Sequence, residues 1–244
     1  MAETAVALLF AHLAADFLLQ SDAMVRGKRR PMVLLAHIAI VAVTAWAFLG
    51  LPLQPGAVAL VAGSHLLIDA AKIRFAGPGF RPFALDQAAH LAMIAVAATA
   101  FPGTWEAGLW ARPELLAALP EAADLPRALL LASGLVASVW AGEHAVGALM
   151  SGVHLPPDPT TDPSLPQGGR LIGKLERLMI YTLVLAGEIG GIGLLIAAKS
   201  ILRFGEIQSG TTRLIAEYVI IGTLASFAWA LAVSIGIARL LALL

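Results

Sequence analysis

Cysteine is absent from the 244 residues, and charge is scarce: Asp, Glu, Lys and Arg together make up 13% of the chain. The missing thiol excludes zinc–thiolate sites, iron–sulfur clusters and thiol catalysis, and says little about compartment. The scarce charge excludes an ordinary soluble enzyme, whose charged fraction is about 25%. Acidic and basic residues balance at 16 each, so a nucleic-acid binder working through net positive charge is excluded and no nucleic-acid partner is expected. What is present is apolar: 59% hydrophobic residues, with a mean hydropathy of +0.84. That composition excludes a disordered chain and indicates a polytopic membrane protein, with the lipid bilayer as its first partner.

Seven apolar segments approach the length needed to cross a hydrocarbon core, at 4–20, 32–50, 56–72, 84–101, 127–150, 178–198 and 214–242. The expected fold is an all-α transmembrane bundle of about seven helices. Glu3 precedes the first run, and Arg26, Lys28, Arg29 and Arg30 follow it. A secretory signal has the opposite order, so the N-terminus is expected outside and the first connection in the cytoplasm. Lys72, Arg74 and Arg81 mark a second cytoplasmic connection. The 102–126 loop is acidic on balance and carries Trp105 and Trp110, residues suited to an outer interface. Lys199, Arg203 and Arg213 oppose this scheme, because seven crossings leave them outside.

Three regions are expected. Residues 1–150 form a five-helix bundle, 151–169 a flexible Pro-rich linker, and 170–244 an amphipathic lead-in followed by two spans. Gly187 and Gly191 in the sixth segment have the small-xxx-small spacing of closely packed helices, and Glu188 lies between them.

Ionisable residues inside apolar segments are costly to desolvate and mark functional sites by default. His12 and Asp16 are four apart and share a helix face, and so do His65 and Asp69. His12 to His37 is 25 residues, as is His65 to His90, and the two sets are offset by 53. This spacing reads as a parallel duplication of helices one–two in helices three–four. Counting from the helix ends puts all four His about 9–12 Å inside the cytoplasmic boundary. Asp16, Asp69 and Asp86 fall one turn nearer the cytoplasm, and Glu143 and His144 reach a similar depth.

Imidazole and carboxylate without sulfur suit a divalent transition metal: Zn, Mn, Fe, Co or Ni. The expected ligands are His12, Asp16, His65 and Asp69. Asp86, His90 and Glu143 are the candidate catalytic groups, any of which can serve as base toward a metal-activated water. Gln20, His37, Gln87, His144, Glu176, Glu188, Lys199, Arg203 and Glu217 are expected in the wider polar network. The competing reading is structural: polar side chains in bundles hydrogen-bond between helices for roughly 0.6 kcal/mol on average, and those near helix ends snorkel.

Several of these residues sit in recognisable stretches. His12-Leu13-Ala14-Ala15-Asp16-Phe17-Leu18-Leu19-Gln20, Asp86-Gln87-Ala88-Ala89-His90, Gly173-Lys174-Leu175-Glu176-Arg177, Ala198-Lys199-Ser200-Ile201-Leu202-Arg203-Phe204 and Glu217-Tyr218 with Gly222-Thr223-Leu224-Ala225-Ser226 resemble the bacterial membrane family filed as domain of unknown function 3307. The resemblance implies a prokaryotic inner (cytoplasmic) membrane and carries no activity. His65-Leu66-Leu67-Ile68-Asp69 is similar to the His-x-x-x-Asp motif of the predicted membrane-bound metal-dependent hydrolases, over one helix. It adds to a hydrolase reading and assigns no residue.

The leading expectation is an integral membrane metalloprotein that hydrolyses a lipid-linked or membrane-proximal substrate from the cytoplasmic side. The alternatives are a metal-ion or proton transporter, and a scaffold or sensor with a purely structural polar network.

Overall fold

The computed structural model describes residues 1–153, 167–208 and 213–244, with side chains throughout except at 121–122, 202–208 and 213. The described residues form helices and turns, with no strand. Most of the predicted linker, residues 154–166, lies outside them. The chain packs as two units, Met1–Val136 with Leu243–Leu244, and Ala137–Ala242.

The first unit is built from α1 (Ala2–Phe17), the short α2 (Asp22–Gly27), α3 (Pro31–Phe48), α4 (Gly56–Phe75), α5 (Phe80–Ala100), the short α6 (Pro113–Ala118) and α7 (Leu125–Val136). The local signals are ordinary. Ser21 caps α2 by accepting from the Met24 N–H at 3.3 Å. Pro31 opens α3, where a missing N–H costs nothing. Lys72 and Arg74 lie in the last turn of α4, against the negative end of its dipole. Gly79, at φ 122°, holds a backbone conformation that side chains disfavour at the start of α5.

Helix α1 is the centre of this unit and packs against α3, α5 and α7. Its buried face is rich in alanine: Ala7, Ala11, Ala14 and Ala15 are at most 5% exposed. Small side chains let the neighbouring helices approach closely. The 102–112 loop folds onto the same end of the unit. Trp105, expected at a membrane interface, is instead 6% exposed. Its N–H donates to Thr4 Oγ1 at 3.3 Å, and Thr4 donates in turn to Pro102 O at 3.1 Å. The Trp110 indole donates to Ala47 O at 2.9 Å, and the Leu109 N–H to Gly50 O at 2.7 Å.

The second unit begins with a π turn, Ala137–Ala141, and continues through α8 (Gly142–Met150), α9 (Gly168–Leu185), α10 (Ile189–Gln208) and α11 (Arg213–Leu241). Its core is Ile180, Val184, Ile192, Phe227 and Ala230. The extra backbone of the π turn frees carbonyls, and buried donors take them up. Trp229 donates to Ala137 O at 2.9 Å, and Arg177 donates from Nε and Nη2 to Val139 O at 3.2 and 3.0 Å.

Among the described residues, five helices are long and apolar enough to cross a membrane: Pro31–Phe48, Gly56–Phe75, Phe80–Ala100, Leu125–Met150 and Leu214–Leu241. The expected sixth span, 178–198, is not one helix. Gly187 takes φ 77° and ends α9. Its N–H bonds Val184 O at 3.1 Å and the Glu188 N–H bonds Leu183 O at 2.9 Å, the paired bonds of a Schellman stop. Helix α10 then runs back along α9. Glu188 is therefore not mid-helix but exposed at the turn. Gly191 keeps the close approach expected of it, since a Cβ there would stand 2.8 Å from Leu183 Cδ2. The predicted lead-in at 170–179 is the first half of α9.

The loop anchor can be tested. A Cβ at Gly108 would lie 2.1 Å from Leu49 O, whereas one at Gly103 meets nothing within 4 Å. Gly108→Ala should lower stability by about 2 kcal/mol or more, and Gly103→Ala should leave the thermal unfolding midpoint unchanged. Equal midpoints for the two variants would refute the packed loop.

Candidate metal centre

Four helices of the first unit bring seven ionisable residues to one level. Helix α1 supplies His12 and Asp16, α3 supplies His37, α4 supplies His65 and Asp69, and α5 supplies Asp86 and His90. The four imidazoles are at most 3% exposed. Their rings touch in a continuous group, with centroid separations between 4.1 and 5.6 Å. The i,i+4 pairs predicted from the sequence all fall inside this group.

Three atoms converge most closely. His37 Nε2 and His65 Nε2 are 3.1 Å apart, and Asp16 Oδ1 lies 3.2 Å from the first and 3.3 Å from the second. Asp69 Oδ2 stands 3.6 and 3.7 Å from the same two nitrogens. One imidazole N–H donating to the other nitrogen would satisfy the His37–His65 pair. It would leave Asp16 Oδ1 unsatisfied. That oxygen is buried without a hydrogen-bond partner among the described residues, so neither ring contact has hydrogen-bond alignment. His37 Nδ1 is likewise buried and unpartnered.

The remaining members frame this triangle. His12 Nε2 faces Gln87 Oε1 at 3.3 Å, and an amide oxygen can only accept, so Nε2 carries the proton. Nδ1 of His12 then faces Asp16 Oδ2 at 3.9 Å as a lone pair. Gln87 Nε2 donates to Asp86 Oδ2 at 3.1 Å and ties the two halves of the cluster together. His90 Nδ1 donates to the Asp86 carbonyl at 2.8 Å. This fixes its tautomer and leaves Nε2 as a buried, unpartnered lone pair. Asp86 Oδ1 is also unpartnered.

Two ammonium groups close the cluster on the side where α1 ends and α4 ends. Lys28 Nζ donates to Asp69 Oδ2 and Lys72 Nζ to Asp86 Oδ2, each at 2.7 Å. Sequence reasoning used these lysines only to orient the chain. The three-residue spacing of Asp69 and Lys72 on α4 was a visible signal that both belong to one end of the site. Nothing local links Lys28 to a carboxylate 41 residues away.

The other predicted site residues have different surroundings. Gln20 Nε2 is buried and unpartnered among the described residues. Glu143 and His144 belong to the second unit, where Arg170 bonds the Glu143 carboxylate and Lys174 bonds it at 2.9 Å. The His144 side chain is exposed, with Nδ1 on Trp140 O at 3.0 Å. Glu176, 6% exposed, accepts from Lys199 at 2.6 Å. Glu217 lies on α11 with an exposed side chain. The Arg203 side chain lies outside the described residues.

Chemically, the centre is a set of nitrogen and oxygen lone pairs aimed at common points. Three groups of its residues can hold a metal ion: His12, Asp16 and His65; His37, His65 and Asp69; and Asp69, Asp86 and His90. The ammonium partners are unequal. The Lys28 side chain is 15% exposed and that of Lys72 is 41% exposed. Lys28→Met should therefore strand the Asp69 carboxylate and cost on the order of 3 kcal/mol in chelator-treated protein. Lys72→Met should cost clearly less, because water and Gln87 remain for Asp86. Thermal unfolding in detergent reads the order, and a larger loss for Lys72→Met would contradict it.

Comparison with curated proteins and with solved structures finds no match. The stretches at 173–177, 198–204 and 217–226, which resemble a known family in sequence, fall outside the family match at 5–113. Residues 5–113 match the model described as Protein of unknown function (DUF3307), a span that holds every residue of the His/Asp centre and both of its lysines.

Proposed function

We propose that this chain is a multi-pass protein of a prokaryotic inner membrane that holds one divalent transition-metal ion and hydrolyses a lipid-linked or membrane-proximal substrate from the cytoplasmic side. The observation that carries the reading is the triangle of His37 Nε2, His65 Nε2 and Asp16 Oδ1, with edges of 3.1, 3.2 and 3.3 Å. Ligand atoms held about 2.0–2.1 Å from a tetrahedral ion stand about 3.3–3.4 Å apart. Asp16 Oδ1 is buried without a hydrogen-bond partner among the described residues, which supports an ion as its partner.

Asp16, His37 and His65 are the proposed ligands, and Asp69 is the fourth in reach. A divalent ion in such a site polarises a substrate oxygen and makes bound water acidic near neutral pH. His12, its ring fixed by Gln87, stands beside Asp16 at 3.9 Å and is not among the proposed ligands. His90 Nε2 and Asp86 Oδ1 are the free proton acceptors beside the ligands. Glu143, already engaged by Arg170 and Lys174, is not needed as the base.

Metal content of the detergent-purified protein tests this directly. The expected result is about one transition-metal ion per chain, lost in His65→Gln and Asp16→Asn and largely retained in His12→Gln. Gel filtration and helical circular dichroism verify that each variant is still folded. Wild-type protein that takes up no metal after loading overturns the proposal and leaves the cluster as a proton or ion path, which flux in proteoliposomes would then measure. Full metal retention in both ligand variants overturns it as well.

A further inference from the structure

An ion held by Asp16, His37 and His65 leaves two buried acceptors on α5 unexplained. Asp86 Oδ1 and His90 Nε2 have no hydrogen-bond partner among the described residues. Asp86 is 7% exposed and His90 3% exposed, so bulk water does not serve them. The donors that reach Asp86 go to its other oxygen. Lys72 Nζ at 2.7 Å and Gln87 Nε2 at 3.1 Å both bond Oδ2. The proton of the His90 ring is on Nδ1, which donates to the Asp86 carbonyl at 2.8 Å. A ring held at one nitrogen by a backbone carbonyl presents the other as a lone pair, which is the usual arrangement of a metal-ligating histidine.

Both residues belong to one of the three sets able to hold an ion. One ligand atom from each of Asp69, Asp86 and His90 lies within 4.8 Å of the other two, and all three residues are buried. The other sets, His12, Asp16, His65 and His37, His65, Asp69, both contain His65, so they draw on the same imidazole as the first ion. The third set shares only Asp69 with them, and a carboxylate has an oxygen for each of two ions. The donor chemistry differs as well. Asp16, His37 and His65 offer two imidazoles and one carboxylate, which suits zinc, iron or nickel. Asp69, Asp86 and His90 offer one imidazole and two carboxylates, a harder set that suits manganese.

Charge ranks the two positions. The carboxylates of Asp16, Asp69 and Asp86 against the ammonium groups of Lys28 and Lys72 leave a formal −1 with neutral imidazoles. A first dication turns this to +1, so a second enters against net positive charge and binds more weakly. Lys72, on Asp86 itself, is the cation nearest to that position.

We propose that the centre takes two ions, the second a hard dication such as manganese(II) held by Asp69, Asp86 and His90, with Asp69 shared between the two. The inference rests on the metal reading above for the first ion alone. With the second ion bound, Asp86 Oδ1 and His90 Nε2 are ligands, and their service as proton acceptors belongs to the one-ion state. Paired ions add a second positive charge beside the substrate oxygens, the arrangement that stabilises both the attacking and the leaving oxygen of a displacement.

The test titrates manganese(II) into chelator-treated, full-length protein in detergent and counts bound ions by equilibrium dialysis with elemental analysis. Wild-type protein should bind two ions per chain, the second several-fold more weakly than the first. Asp86→Asn and His90→Gln should each lose the weaker ion and keep the tighter one, and the ion they keep shows that they are folded. Lys72→Met should tighten the second step more than the first. A wild type that stops at one ion, lost in His65→Gln and kept in His90→Gln, overturns the second position and leaves the first standing. Two ions in both Asp86→Asn and His90→Gln overturn it as well. One ion lost in Asp86→Asn and His90→Gln but kept in His65→Gln and Asp16→Asn does the reverse: it sinks the reading at Asp16, His37 and His65 and leaves Asp69, Asp86 and His90 as the site. No manganese bound at any concentration overturns both.

Discussion

Burying imidazole and carboxylate groups inside an apolar bundle is the constraint on which the first unit depends. Such groups lose their water and must be satisfied by one another, by ammonium groups or by a cation. The alanine face of α1 is what makes this feasible, since His12 and Asp16 can reach side chains on α3, α4 and α5 only if the helices approach closely. The same need fixes Lys28 and Lys72 at the end of the cluster and leaves the opposite end of the unit to be closed by Thr4, Trp105 and the glycine contact at Gly108. The buried polar atoms left without a hydrogen-bond partner among the described residues belong to Asp16, Gln20, His37, Asp86 and His90.

Much of this was legible in the sequence because helices convert spacing into position. Pairs four residues apart, His12 with Asp16 and His65 with Asp69, had to share a face, and counting from helix ends put four His at one depth. Depth does not give azimuth, however. Counting could not tell that His37 enters the closest triangle while His12 turns to Gln87, nor that Glu143 finds Arg170 and Lys174. The expected duplication pairs His37 with His90, yet inside the cluster the two differ: one ring faces carboxylates at Nε2, the other is held at Nδ1 by its own helix. Hydropathy failed at 178–198 for a different reason. It registers apolar composition, and a glycine in the left-handed region reverses the chain without changing that composition.

The second unit shows the other use of buried polarity. Arg177 is 3% exposed, and its guanidinium donates to Val139 O and to Ser226 Oγ, the latter at 3.0 Å. These bonds satisfy the backbone that the π turn opens, and Gly142 leaves the room: a Cβ there would meet Trp229 and Arg177 at 2.7 and 2.8 Å. Here the polar residues serve packing, and Glu176 with Lys199 reads the same way. Sequence patterns alone rank such a cluster beside a ligand set, because both are charged residues at helical spacing. Only the presence or absence of unsatisfied atoms separates them.

The stop at Gly187 has a consequence for the parity of the path. An antiparallel hairpin returns to the side it left, however deeply it enters, so α9 and α10 together add an even number of crossings. Within the second unit, the chain after α10 therefore comes back to the end of the unit at which α9 starts. Lys199, in the middle of α10, reaches Glu176 on α9 and so lies toward the end of the hairpin where Arg170 and Lys174 open α9. One glycine in the left-handed region thus turns an expected single span into a hairpin and gathers basic side chains from both of its arms at one end.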